Sequence, residues 1–188
     1  AEQLYAIEVD TLTGTGEYQR ALARLNEALE ITPDSIPLLY SRSMVGEKTG
    51  DLALMESDLR RIIDMDPDNA TALNALGYTL ANRTERYAEA EALIAEALAL
   101  KPDEPAILDS MGWVKFRLGD YQAALNYLRR AYSAFPDPEV AAHLGEVLWV
   151  TGDLDTARTV WNKALDEDPD HEVLLETMQR LGVTAGPD

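Results

Sequence analysis

Three apolar positions recur five times along the chain, each time at the same distances ahead of a proline. Twelve residues before Pro33, Pro67, Pro102, Pro136 and Pro169 stand Ala21, Met55, Ala90, Ala124 and Ala157. Eight before stand Leu25, Leu59, Ile94, Leu128 and Trp161, and five before stand Ala28, Ile62, Ala97, Ala131 and Ala164. Steps of four and then three residues put all three positions on one face of an α-helix. The prolines are 34, 35, 34 and 33 residues apart and sit in turns reading TPDS, DPDN, KPDE, FPDP and DPDH. Proline cannot continue the helix before it, and the acids around it suit the start of the next.

The first half of each unit carries a second signal. Leu76-Gly77, Met111-Gly112 and Leu144-Gly145 each set a large apolar residue before a glycine, which lets two helices approach closely. Leu12, Leu80 and Leu148 fill the apolar place three residues after that step. Turns then read Gly16-Glu17-Tyr18, Gly50-Asp51-Leu52, Gly119-Asp120-Tyr121 and Gly152-Asp153-Leu154, glycine to end one helix and an acid to start the next. In the third unit a longer turn, Asn82 to Tyr87, takes this place. The pattern predicts a single array over 1–181 made of helix pairs at about 2–35, 36–69, 70–104, 105–137 and 138–170. The stretch EVLLETMQRL at 172–181 reads as a lone amphipathic helix that caps the last pair, and 182–188 as a flexible tail.

Taken together, A-x3-F-x2-A-x4-P after an L-G step resembles the tetratricopeptide repeat (TPR), with five matched units. The resemblance implies an all-α fold, a right-handed superhelix or α-solenoid whose first helices line a concave inner surface. It implies a non-catalytic scaffold that binds other proteins or extended peptide segments through groove side chains.

Composition narrows the partners. The 188 residues are 46% hydrophobic, enough for a sizeable core, while 34 acids against 16 bases give a net charge of −18. Such a surface repels phosphate backbones and anionic lipid, so neither nucleic acid nor direct membrane contact is expected. No apolar run reaches the roughly 18 residues of a spanning helix. With no cysteine, thiol catalysis and disulfides are excluded.

Candidate chemistry is sparse. His143 and His171 lie far apart in the register and in no H-E-x-x-H helix, so no metal site is expected. The acidic turns 64–68 and 166–170 lack the central glycine and distal glutamate of a calcium loop and read as helix caps. Gly14-Thr15-Gly16 is not followed by G-K-[ST], and no G-x-S-x-G occurs. No enzyme activity and no cofactor are expected.

The family's inward-facing positions, carried onto this register, give a groove lined by Tyr40, Met44 and Lys48, then by Asn74, Tyr78 and Asn82. Asp109, Trp113, Phe116 and Arg117 follow, and then His143, Glu146 and Trp149. Trp113 and Trp149 are expected to stand exposed or half-exposed as apolar anchors, with Asn74 and Asn82 holding a ligand backbone. Phe116 suits packing between first helices equally well, and Trp161 falls on a packing position. Ala6, Asp10 and Thr13 stand where the carboxylate clamp of chaperone-binding TPR domains would begin, which disfavours that role.

Residues 74–165 carry a narrower resemblance, through LGYTLA, ILDSMGWV, FRLGDYQAAL, AFPDPEVAAHLGEVLW and a short fourth unit. They resemble large proteobacterial TPR lipoproteins held at the periplasmic face of the outer membrane. At least one member of that group looks like an adaptor for a periplasmic carboxyl-terminal processing protease and its substrates. The resemblance implies a periplasmic scaffold, tethered through an N-terminal lipid anchor that this chain does not contain. Two other roles stay open: an assembly factor of pilotin-like or outer-membrane biogenesis type, and a cytosolic regulatory scaffold.

Overall fold

A computed structural model describes residues 2–184, with side chains from residue 5 onward. The described residues form eleven α-helices and no strand. Ten of them pair as α1 (Glu2–Gly14) with α2 (Tyr18–Ile31), α3 (Ile36–Thr49) with α4 (Leu52–Met65), and α5 (Ala70–Arg83) with α6 (Tyr87–Leu100). The series continues with α7 (Pro105–Arg117) and α8 (Tyr121–Ala134), α9 (Pro138–Val150) and α10 (Leu154–Glu167), and ends on α11 (Glu172–Arg180). This is the expected all-α solenoid of five hairpins and a cap.

Turn chemistry decides where each helix stops. Gly50 takes φ 78°, a left-handed conformation that a side chain would strain, and Asp51 then caps α4 by accepting from Leu54 N at 3.0 Å. Gly16, Gly119 and Gly152 adopt the same conformation. The third hairpin, with no glycine there, uses a different device. Thr84 turns extended, its hydroxyl donates to Leu80 O, and its oxygen accepts from Arg86 N at 3.1 Å. Of the two acidic turns expected to cap helices, 64–68 acts through Asp66, which accepts from Asn69 Nδ2 while Asn69 Oδ1 accepts from Ala72 N. The other, 166–170, supplies no side-chain cap, and α11 starts after His171 without one. In the fourth link Asp137 accepts from Glu139 N.

The two sequence signals meet inside each hairpin. A Cβ on Gly77 would lie 2.6 Å from Ile94 Cγ1, and one on Gly112 2.5 Å from Leu128 Cγ. The L-G glycine of the first helix therefore faces the large apolar residue eight places before the proline. Helices then stack into a nearly continuous core. One cluster runs from Val9 to Val114 and another from Ala124 to Val183, and Phe116 packs against both.

The cap is bonded as well as packed. Leu174 and Met178 are buried against the last hairpin, and Arg180 grips Glu146 of α9 with two hydrogen bonds of 2.9 and 2.6 Å. Part of the expected tail belongs to the fold: Val183 is buried and its N–H donates to Met178 O at 2.9 Å. The rest of that tail, 185–188, lies outside the described residues. Deleting 172–188 is expected to lower soluble yield and cost about 2 kcal/mol, the low end for emptying a buried leucine site. In a chain of this size that is a fall of roughly 4–8 °C in melting temperature, read by circular dichroism. A truncated chain that melts with the parent would mean α11 caps nothing.

Candidate protein-binding groove

The inner surface is built from α1, α3, α5, α7 and α9, and its two halves differ. In the N-terminal half an open cleft of about 470 Å³ lies between α1 and α3. Val9 and Val45 form its floor, half-buried Tyr18, Tyr40 and Met44 its walls, and Asp10, Thr13, Ser41 and Lys48 contribute polar groups. Of the expected groove residues, the structure brings Tyr40 and Met44 together here, along with Lys48. Asp10 and Thr13, where a carboxylate clamp would begin, line the same cleft.

The C-terminal half is filled by its own side chains. Trp113 is not the exposed anchor that the register suggested: it is 6% exposed and stacks on the His143 ring, with centroids 4.3 Å apart. Asp109, His143 and Glu146 are buried too. Tyr78 of α5 donates to Glu139 Oε1 of α9 at 2.9 Å, a contact that reaches past α7. Three residues, Phe135–Asp137, join α8 to α9, where four join each of the preceding hairpins. Glu146, expected to face the groove, is instead covered by α11 through Arg180.

Other expected groove residues hold intermediate positions. Asn82 and Arg117 are exposed, and Arg117 donates to the Tyr87 hydroxyl at 2.6 Å. Phe116 is half-buried at the junction of the two core clusters, which favours its packing role. Trp149 is half-buried, with its ring tilted against Trp161 and the Arg158 guanidinium 5.6 Å from its centre. Asn74 Oδ1 and Trp113 Nε1 are buried without a hydrogen-bond partner among the described residues.

Sequence reasoning missed Glu139 and the cleft residues Tyr18 and Ser41. Glu139 could have been found, because it stands six residues before Gly145 as Tyr40 stands six before Gly46. Tyr18 begins a second helix, and a register of first helices alone does not reach it. Among the described residues no cluster of His, Asp or Glu has metal-ligand geometry, and no helix is long and apolar enough to cross a membrane.

Stacked helix hairpins around an inner groove define a class of repeat scaffold, and sequence comparison agrees. The chain is a tetratricopeptide-repeat protein: two tetratricopeptide-repeat family models match it, over residues 68–137 and 110–172. The TPR repeat-containing protein PA4667 of Pseudomonas aeruginosa is 55% identical over 146 residues. That match covers 78% of this chain and 25% of the relative, so the chain spans about a quarter of the relative's length. Among solved structures, TTC0263, a thermophilic TPR protein of Thermus thermophilus, superposes with a TM-score of 0.84 at 22% identity, covering 97% of this chain and 100% of the other. PilW, a type IV pilus biogenesis factor, gives 0.78 at 22% identity, covering 97% and 88%. TPR proteins bind other proteins or peptides, and their scaffold is generally non-catalytic.

Proposed function

We propose that this chain is the protein-binding part of a periplasmic adaptor, tethered to the outer membrane by an N-terminal lipid anchor outside the chain. It holds a carboxyl-terminal processing protease, protein substrates of that protease, or both. The observation that carries the binding role is the open cleft between α1 and α3, where half-buried aromatic and thioether side chains meet water in the N-terminal half of the inner face. The resemblance of residues 74–165 to envelope lipoproteins supports the compartment and the class of partner.

In this reading Tyr40 and Met44 act as apolar anchors, and each already lies half out of water. Tyr40 is a stiff ring that loses little freedom on contact, and Met44 an adaptable thioether that fits itself to the ligand. Tyr40→Ala is expected to weaken binding about thirtyfold, on the order of 2 kcal/mol, with helicity unchanged. The measurement is a calorimetric titration of the chain with the purified protease and, separately, with an unfolded substrate protein. If neither ligand binds the parent chain, the adaptor reading fails. If both bind Tyr40→Ala and Met44→Ala at full strength, the ligand docks elsewhere.

A further inference from the structure

Polar side chains from three first helices meet out of water across the last three hairpins. His143 of α9 is 4% exposed, and its Nδ1 lies 3.0 Å from both carboxylate oxygens of Asp109 on α7. Its Nε2 lies 3.5 Å from the Tyr78 hydroxyl on α5. That hydroxyl donates its one proton to Glu139, so a lone pair of its oxygen is left for Nε2. An imidazole protonated on both nitrogens satisfies the arrangement, with Nδ1–H donating to Asp109 and Nε2–H to Tyr78. A neutral ring either sets a lone pair against Asp109 or takes the Tyr78 hydroxyl proton in a hydrogen bond to Nε2, which strips Glu139 of its own.

The charges around the ring point the same way. Asp109 faces it from α7, and Glu139 and Glu146 act on it from α9 itself. Arg180 of α11 neutralises Glu146. Of the other helices packed on α9, α10 meets it through Trp161, which bonds Ala142 O, and through the Arg158 guanidinium over the ring of Trp149, six residues beyond His143. Ala131 of α8 packs beside Val140. Burial by itself lowers the affinity of the ring for a proton. The Asp109 carboxylate with its hydrogen bond, then Glu139 and Glu146, outweigh burial and hold the pKa above the ordinary 6.5.

We propose that His143 is the charged bolt of a pH-sensitive latch that ties α5, α7 and α9 together over Trp113. Loss of its proton loosens the C-terminal hairpins and uncovers the inner groove there. The latch does not depend on which protein the scaffold binds. A histidine whose folded pKa is raised adds stability that is complete below 6.5 and is lost as pH rises through the folded value. Mildly acidic solution therefore closes the latch and alkaline solution loosens it.

The chain has two histidines, so NMR titration of the whole protein resolves both rings, with His171→Gln to assign them. His143 is expected to titrate above 6.5 and the melting temperature to fall over the same interval. In Trp149→Phe, whose indoles are Trp113 and Trp161, acrylamide quenching should rise with pH. Asp109→Asn, of nearly the same shape, should flatten the pH dependence of melting. A His143 ring that stays neutral from about pH 5 to about pH 9 overturns the latch, whatever the variants do. So does an Asp109→Asn protein that folds and keeps the parent's pH slope, or quenching that is constant with pH.

Discussion

Trp113→Ala is expected to destabilise the array by about 3–5 kcal/mol, the usual cost of emptying a buried tryptophan site. Its ring fills the space between α7 and α9, with one face on His143 and Phe116 at 5.3 Å. Alanine would leave a void against the His143 ring, in a region where three helices share one set of side chains. Trp149→Ala should cost clearly less, because that ring keeps contact with water. Denaturant melts of the two single variants, followed by circular dichroism, separate the cases. Equal small losses would return Trp113 to the list of free groove anchors. A repeat array can lose cooperativity when one repeat weakens, so a broadened or split transition for Trp113→Ala is part of the expectation.

Gly145→Ala is expected to cost about 3 kcal/mol, the upper end for overpacking, although it adds one carbon. A Cβ there would fall inside the Trp161 indole, overlapping Nε1, Cε2 and Cδ1. Trp161 is fully buried and its Nε1–H bonds Ala142 O at 3.4 Å, so the ring cannot step aside without losing that bond. Gly112→Leu follows the same logic against Leu128, whose branched end can shift further than an indole. Gly14→Ala is the control: nothing lies within 4 Å of a Cβ there, and the change should be neutral or gain about 0.4–1 kcal/mol. Thermal melts should rank Gly145→Ala far below Gly14→Ala. If the two melt together, the close helix crossing is not where the L-G register puts it.

The path from sequence to fold was short because each hairpin is specified locally. Ala90, Ile94 and Ala97 on one helix face and Gly77 on the partner helix lie within a single repeat. Agreement of these positions with the prolines and turn glycines left one reading of helix type and order. Turn residues act through their own backbone, so Gly50, Asp51 and Asp120 could be assigned from neighbours in sequence.

The inner surface follows a different rule. Whether Trp113 meets water depends on His143 and on how closely α9 is held, and those partners lie 30 or more residues away. Trp113 and Tyr78 hold the same place after the glycine in their repeats, yet one is buried under a stacked ring and the other reaches across to Glu139. Glu146 holds that place too, and Arg180 of the cap covers it. Sequence by itself determined the helices and their pairing, because these are set by contacts within about one repeat. The tertiary structure decided which inward residues remain open, leaving Tyr40 and Met44 beside water and closing the groove around Trp113. The stacking of whole hairpins sets the distance between neighbouring first helices, and no single repeat encodes that distance.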